Sequence, residues 1–320
     1  MIANARLLRL WVLIPLVCGA QPQPPAAIDR QSTAYEISVN VDLVVLHATV
    51  LERKGGFASD LHEQDFEVFE DGARQSIRLF SHEDVPVTVG LVIDHSGSMH
   101  HKLQEVTAAA RSFVASSNRN DEIFVVNFNE TVTLGLPAAI RFSASSEALE
   151  RAIWNAPTTG KTALYDAIAK SLEQLQRGSG DKKVLIVVSD GGDNASRESL
   201  AGILELAEQS SAVIYTIGIF EEEDQDRNPK VLERIARETG GEAFFPRRHD
   251  EVVAVCERIA RDIRNQYTIG YVPTNAARNG AYRTIRVAAR ASNHGKLSVR
   301  TRSGYIFAGE SPPVQRDRGK

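Results

Sequence analysis

Five oxygen-bearing side chains are placed to do chemistry together. Asp94, Ser96 and Ser98 stand two residues apart in Asp94-His95-Ser96-Gly97-Ser98, directly after the apolar run Val87 to Ile93. One carboxylate and two hydroxyls are thereby set on a tight turn past a buried strand. Two distant pieces could complete the set: Thr162 in Gly160-Lys161-Thr162, and Asp190 in Ser189-Asp190-Gly191. Hydroxyl and carboxylate oxygens suit hard divalent cations, Mg²⁺ first and Mn²⁺ or Ca²⁺ as well. Zinc would draw on cysteine or histidine, and the set requires neither.

These residues need elements to bring them together. Residues 86–265 alternate strand and helix patterns. Val87 to Ile93, Ile123 to Phe128, Val184 to Val188 and Val213 to Ile219 are near-continuous apolar runs, the pattern of strands buried on both faces. Val132 to Leu136 reads as an antiparallel edge strand and Ala243 to Phe245 as the last strand. Between them run apolar stripes at helical spacing: Leu103, Val106, Ala110 and Phe113; Leu164, Ile168, Leu172 and Leu175; Leu200, Ile203, Leu204 and Ala207; Leu232, Ile235 and Ala236. The pattern predicts an α/β fold with a doubly wound, mostly parallel six-stranded sheet. In such a sheet, ligands bind beyond the carboxyl ends of the strands. Asp94 and Asp190 each follow a strand, and Thr162 sits on the loop opening the Leu164 helix.

The flanks read as strands. Residues 36–82 hold an alternating segment from Ile37 to Val50, then a hairpin from Phe66 to Phe80 around Asp71-Gly72. Residues 266–308 hold three short strands: Tyr267 to Val272, Tyr282 to Ala289 and Leu297 to Phe307. Neither flank has enough strands for a core of its own. The economical arrangement pairs both flanks into one small β-sandwich with the α/β domain inserted between them.

The ends differ in kind. Arg6 and Arg9, an apolar run from Leu10 to Val17, and Cys18-Gly19-Ala20 read as a secretory signal peptide over residues 1–20, cut after Ala20. The apolar run is short for a membrane span, and no later segment is apolar enough for one. Residues 21–33 read as a flexible spacer and 309–320 as a disordered tail. Export places the protein in the periplasm, at the cell surface or outside the cell. Cleavage would remove Cys18, leaving Cys256 without a disulfide partner on the helix face of Val252, Ile259 and Ile263. A buried, inert thiol follows. The formal net charge of -4, without a basic stripe interleaved with aromatics, gives no sign of nucleic-acid binding.

Asp94-x-Ser96-x-Ser98, Thr162 and Asp190 together resemble the metal-ion-dependent adhesion site of von Willebrand factor A domains. Thr162-Ala163-Leu164-Tyr165-Asp166-Ala167 and Ser189-Asp190-Gly191 strengthen the likeness. Over residues 36–308 the chain is similar to bacterial secreted proteins of the VWFA-related acidobacterial domain type. Val41 to Val50, Asp65-Phe66-Glu67-Val68-Phe69-Glu70-Asp71-Gly72 and Tyr267 to Pro273 carry that wider resemblance. The resemblance implies a Mg²⁺-dependent protein-binding module, not an enzyme. It also implies an open metal position filled by a partner's Asp or Glu.

The remaining candidates are weaker. Asp-x-Ser-x-Ser alone also occurs as a helix N-cap. Asp166 reads as a structural carboxylate, and His100 and His101 as surface groups. Glu221 to Asp226, with Arg247, Arg248 and His249, could form a charged rim that filters ligands. Phosphotransfer enzymes with a strand-end aspartate want a second aspartate where Ser96 stands, and no Gly-x-Ser-x-Gly elbow or P-loop is present. Two alternatives stay open: a structural envelope module whose metal only stabilises the fold, and a Mg²⁺-dependent hydrolase or phosphotransfer enzyme.

Overall fold

The computed structural model describes residues 43–220, 227–277 and 279–307, without the side chains of residues 249 and 250. The segments expected as signal peptide, spacer, start of the first strand (Ile37 to Val41), acidic loop (Glu221 to Asp226) and C-terminal tail lie outside the described residues. So does the His249 side chain.

The N-terminal flank supplies β1 (Val44–Glu52), β2 (Phe66–Glu70), β3 (Ala73–Gln75) and β4 (Ile77–Ser81). The middle runs through β5 (Val87–Asp94), α1 (Leu103–Ala115), β6 (Glu122–Phe128), β7 (Val132–Leu134), α2 (Ser146–Trp154), α3 (Leu164–Leu175) and β8 (Lys182–Ser189). It continues with α4 (Leu200–Ser210), β9 (Val213–Gly218), α5 (Pro229–Thr239), β10 (Ala243–Phe244) and α6 (His249–Arg264). The C-terminal flank adds β11 (Tyr267–Tyr271), β12 (Tyr282–Ala289), β13 (Leu297–Arg300) and β14 (Gly304–Ile306).

The middle folds around a six-stranded sheet in the order β10-β9-β8-β5-β6-β7. All its pairs are parallel except β6 with the edge strand β7. Every residue of β5 is buried, as its unbroken apolar pattern requires of a strand covered on both faces. The helices form two groups, α1 with α2 and α6, and α4 with α3 and α5. From β5 the chain winds one way to β6, and the strands on its other side belong to the later units. The boundary between β5 and β8 is therefore the topological switch point, where an open α/β sheet leaves a crevice.

The flanks pair with each other in two antiparallel sheets, β13-β1-β11-β4 and β14-β12-β2-β3, each drawing strands from both ends of the chain. Leu46, Tyr267, Ile269 and Tyr271 of the first sheet share one core with Val68 and Val287 of the second. Burying each such side chain stabilises the fold by about 1.5–3 kcal/mol. A buried charge pair also sits in this core. Arg283 donates to Glu70 at 2.9 Å, and Glu70 accepts from the Tyr271 and Tyr305 hydroxyls at 2.7 and 2.8 Å.

Three expectations need correction. Leu297 to Phe307 is two strands, because the chain crosses between sheets at residues 301–303. There Arg302 donates to the Val45 carbonyl at 3.0 Å, and the Ser303 hydroxyl donates to the Glu238 carboxylate at 2.6 Å. These ties pull the backbone towards α5 and out of ladder geometry. The hairpin expected over Phe66 to Phe80 ends earlier. Asp71 and Gly72 take positive φ (47° and 81°) and pair β2 with β3, whereas β4 joins the other sheet beside β11. The helix α2 has no counterpart in the sequence reading. Its signature is present: Ser145 as N-cap, accepting from the Ala148 amide at 3.3 Å, then Leu149, Ala152 and Ile153 on one buried face.

Candidate metal centre

Parallel registry brings the two carboxylates together. Ile93 of β5 lies opposite Val188 of β8, so the next residues, Asp94 and Ser189, are neighbours at the strand ends. The Ser189 hydroxyl donates to Asp94 Oδ2 at 2.6 Å, and the Ser96 amide donates to Asp94 Oδ1 at 2.8 Å. Asp190, the next residue after β8, accepts from the Ser98 hydroxyl on Oδ2 at 2.6 Å and from the Gly192 amide on Oδ1 at 3.0 Å. The Ser96 and Ser98 hydroxyls lie 3.1 Å apart. Asp94, Ser96, Ser98 and Asp190 therefore form one connected oxygen cluster across the switch point.

Thr162 joins through its backbone. The loop before it docks on the Asp94 turn: Thr159 N donates to the His95 carbonyl at 2.9 Å and Gly97 N to the Gly160 carbonyl at 3.2 Å. Gly160 has φ +85°, a left-handed conformation that favours glycine. Beyond Asp190, Asn194 accepts from Thr162 N at 2.9 Å, and its own amide donates to the Thr162 carbonyl at 3.0 Å. Thr162 is buried, although it sits on a loop, and its hydroxyl has no hydrogen-bond partner among the described residues. The five expected residues thus come from three segments that are hydrogen-bonded to one another.

The electrostatics are unbalanced. Asp94 is fully buried and Asp190 nearly so, while Ser98 is exposed and leaves the cluster open to solvent. Burial pushes the Asp94 carboxyl from 3.8 up to about 6, and the charge of Asp190 adds to the push. Hydrogen bonds from Ser189 and Ser96 oppose it. Neither aspartate forms an ion pair with a basic side chain among the described residues. Two carboxylates without a cation, beside the Ser96 and Ser98 hydroxyls on an open edge, are oxygen donors of the kind a hard dication takes. No histidine is hydrogen-bonded to the cluster: His95 is buried with the Thr158 hydroxyl 3.4 Å from its Nδ1, and His100 and His101 are exposed.

The N-cap interpretation fails on geometry. The N-cap of α1 is Lys102, and neither Asp94, Ser96 nor Ser98 caps that helix. Asp166 is structural, since its Oδ1 accepts the amides of Arg197 and Glu198 at 3.0 and 2.9 Å. Cys256 is buried and its thiol is pushed up to about 12, which leaves it inert. Sequence reasoning assigned no role to Ser189, which orients Asp94, or to Asn194, which holds Thr162. Ser189 carried a signal, standing beside Asp190 at a strand end. Asn194 carried none.

The chain belongs to the von Willebrand factor type A domain family, whose model matches residues 88–255, more than half of its length. Among solved structures, a von Willebrand factor type A protein from Catenulispora acidiphila is 14% identical with a TM-score of 0.50, over 84% of this chain and 74% of that one. The vWF domain of the type V pili tip protein Mfa5 from Porphyromonas gingivalis is also 14% identical, with a TM-score of 0.47 over 56% of this chain and 95% of that one. Proximal thread matrix protein 1 from the mussel byssus, solved with a zinc-occupied MIDAS motif, is 19% identical. Its TM-score is 0.47, over 57% of this chain and 48% of that one. At these identities the likeness is one of fold. No curated protein matches the chain.

Proposed function

We propose that the chain is an exported protein-binding module that works through a divalent cation. Asp94, Ser96, Ser98, Thr162 and Asp190 would hold Mg²⁺, or Mn²⁺ or Ca²⁺ in its place, and a partner's Asp or Glu carboxylate would complete the shell. The observation carrying this reading is the pair of buried, uncompensated carboxylates at the switch point, joined to exposed Ser98. When bound, the metal would supply positive charge beside the Asp94 and Asp190 carboxylates. The chain's residues position it: Ser189 and the Ser96 amide orient Asp94, the Gly192 amide orients Asp190, and Asn194 fixes Thr162.

No catalytic step is needed by this reading, and no nucleic acid. No helix among the described residues is long and apolar enough to cross a membrane. With the leader removed, the site would face the periplasm, the cell surface or the medium, where a partner of the envelope could meet it.

The test is capture of envelope proteins by the immobilised protein, in Mg²⁺ and in chelator, with Asp94→Ala alongside. Chelator-sensitive capture that Asp94→Ala abolishes supports the reading. Capture that ignores both chelator and substitution overturns it.

A further inference from the structure

One edge of β12 is only half covered. Tyr282, Arg283 and Thr284 lie opposite Ile306, Tyr305 and Gly304 of β14, and the Ile285 amide donates to the Ser303 carbonyl at 2.8 Å. Beyond that point no described strand pairs on this side. On the other side β12 stays paired with β2 as far as Ala289. Ladder bonds alternate along a strand, so the amides of Val287 and Ala289 point the same way as that of Ile285. Both residues are only 8% exposed, yet neither amide finds an acceptor among the described residues. Both amides are thus free ladder positions on an uncovered sheet edge.

A cleft lies in front of these amides. Two hollows of about 700 and 440 Å³ share Val287 and Val299; the larger is also lined by Glu233, Arg237, Glu242 and Phe245, whereas the smaller, between β12 and β13, carries only the basic charges Arg290 and Lys296. The uncovered stretch of β12 is long enough for about four or five extended residues at roughly 3.4 Å each. We propose that this slot receives an extended segment of a partner protein, which adds to the sheet as a strand beside Val287 and Ala289.

The alternation of β12 specifies that segment. Inward-pointing Ile285, Val287 and Ala289 are buried, whereas Arg286 and Arg290 are exposed on the outer face. Arg286 stacks on the Phe69 ring, 3.8 Å from its centroid, and neither arginine has a carboxylate partner among the described residues. Lys296, at the far end of the slot, is also exposed without an ion pair. An added strand places alternate side chains beside the two arginines and the others against Val287 and Val299. The segment is therefore one that alternates acidic with apolar residues. The slot shares no residue with the metal centre, so the two sites can be tested apart.

The probe is a blocked peptide of about six residues alternating Glu and Val, with a Lys and Val peptide of equal length as control. Binding to the full chain is read by fluorescence anisotropy, and amide protection by hydrogen exchange resolved at single residues. The Glu peptide should bind and protect the Val287 and Ala289 amides. The double variant Arg286→Glu with Arg290→Glu should weaken binding by about tenfold or more, since it replaces attraction by like-charge repulsion. Chelator should change nothing, which separates failure here from failure at the metal centre. The proposal is overturned if the Glu peptide does not bind, if the Lys peptide binds equally, or if those two amides stay unprotected. It is also overturned if the chain self-associates and protects them without peptide, because the slot then belongs to a second copy.

Discussion

Glu70 and Asp94 are both buried carboxylates at strand ends, in different regions and under opposite arrangements. In the sandwich, Glu70 meets Arg283 and two tyrosine hydroxyls, and Arg283 spends its other donors on the Asn275 and Ala277 carbonyls at 2.8 and 2.6 Å. That charge is neutralised inside the fold. In the α/β region, Asp94 meets only the neutral donors of Ser189 and Ser96, with the charge of a second carboxylate, Asp190, against it. A carboxylate that supports folding is given its counter-ion by the chain. One held ready for an external cation is oriented and left short of charge, at some cost to stability.

The largest expected effect tests the first half of that contrast. Glu70→Ala leaves the Arg283 guanidinium buried and unpaired, and breaking such a pair costs about 3–5 kcal/mol. Urea unfolding should show it. Asp94→Asn in metal-free buffer should instead leave stability near wild type or raise it, since it removes a charge the fold does not balance. Equal losses from both substitutions would end the comparison.

The pH dependence of Asp94 comes next. Its folded pKa, about 6, lies above its ordinary 3.8, so the folded state binds the extra proton more readily. Its penalty is therefore full above about pH 6 and relieved as pH falls towards 4. Relative to Asp94→Asn, the metal-free wild type should gain stability over that interval, by up to roughly 3 kcal/mol. A flat difference between the two proteins from pH 7 to 4 would show that Asp94 is already compensated. Metal should act in the reverse direction on the same group. At about 100 times its dissociation constant, Mg²⁺ or Mn²⁺ should stabilise the fold by about 2.7 kcal/mol at neutral pH, and by less at pH 5 as protons compete. Melting curves in chelator and in saturating metal measure this.

The same contrast explains what could be read from the sequence. The α/β sheet was legible because strands covered on both faces read as unbroken apolar runs, Val87 to Ile93 most plainly. The centre was legible because its oxygens follow two of those runs. The strand β12 was legible as a strand, and its burial alternates, with Ile285, Val287 and Ala289 inward against more exposed neighbours. What could not be read depends on partners far away in the chain. The break between β13 and β14 is set by Val45 and Glu238. The charge balance of Glu70 is set by Arg283, which looks like any surface arginine in a strand. The burial of Thr162 depends on Gly160 and Asn194, which close the loop on both sides. Local spacing does not encode such contacts.

The smallest effect on stability and the most discriminating for function is expected at Thr162. Its hydroxyl has no partner among the described residues, whereas its amide and carbonyl are held by Asn194. Thr162→Ala therefore removes an oxygen and keeps the loop. Metal-free stability should fall by about 0.5–1 kcal/mol at most, through lost packing of the methyl-bearing side chain. Metal affinity should fall much further, because one of three hydroxyls at the centre is gone. Thr162→Ser restores the oxygen without the methyl group, so it should recover metal binding and not the lost packing. Calorimetric titration of Mn²⁺ into the three proteins separates these outcomes. If Thr162→Ala binds metal as wild type does, the hydroxyl is not a ligand. The centre would then rest on Asp94, Ser96, Ser98 and Asp190 alone, the four residues already joined by hydrogen bonds across the switch point.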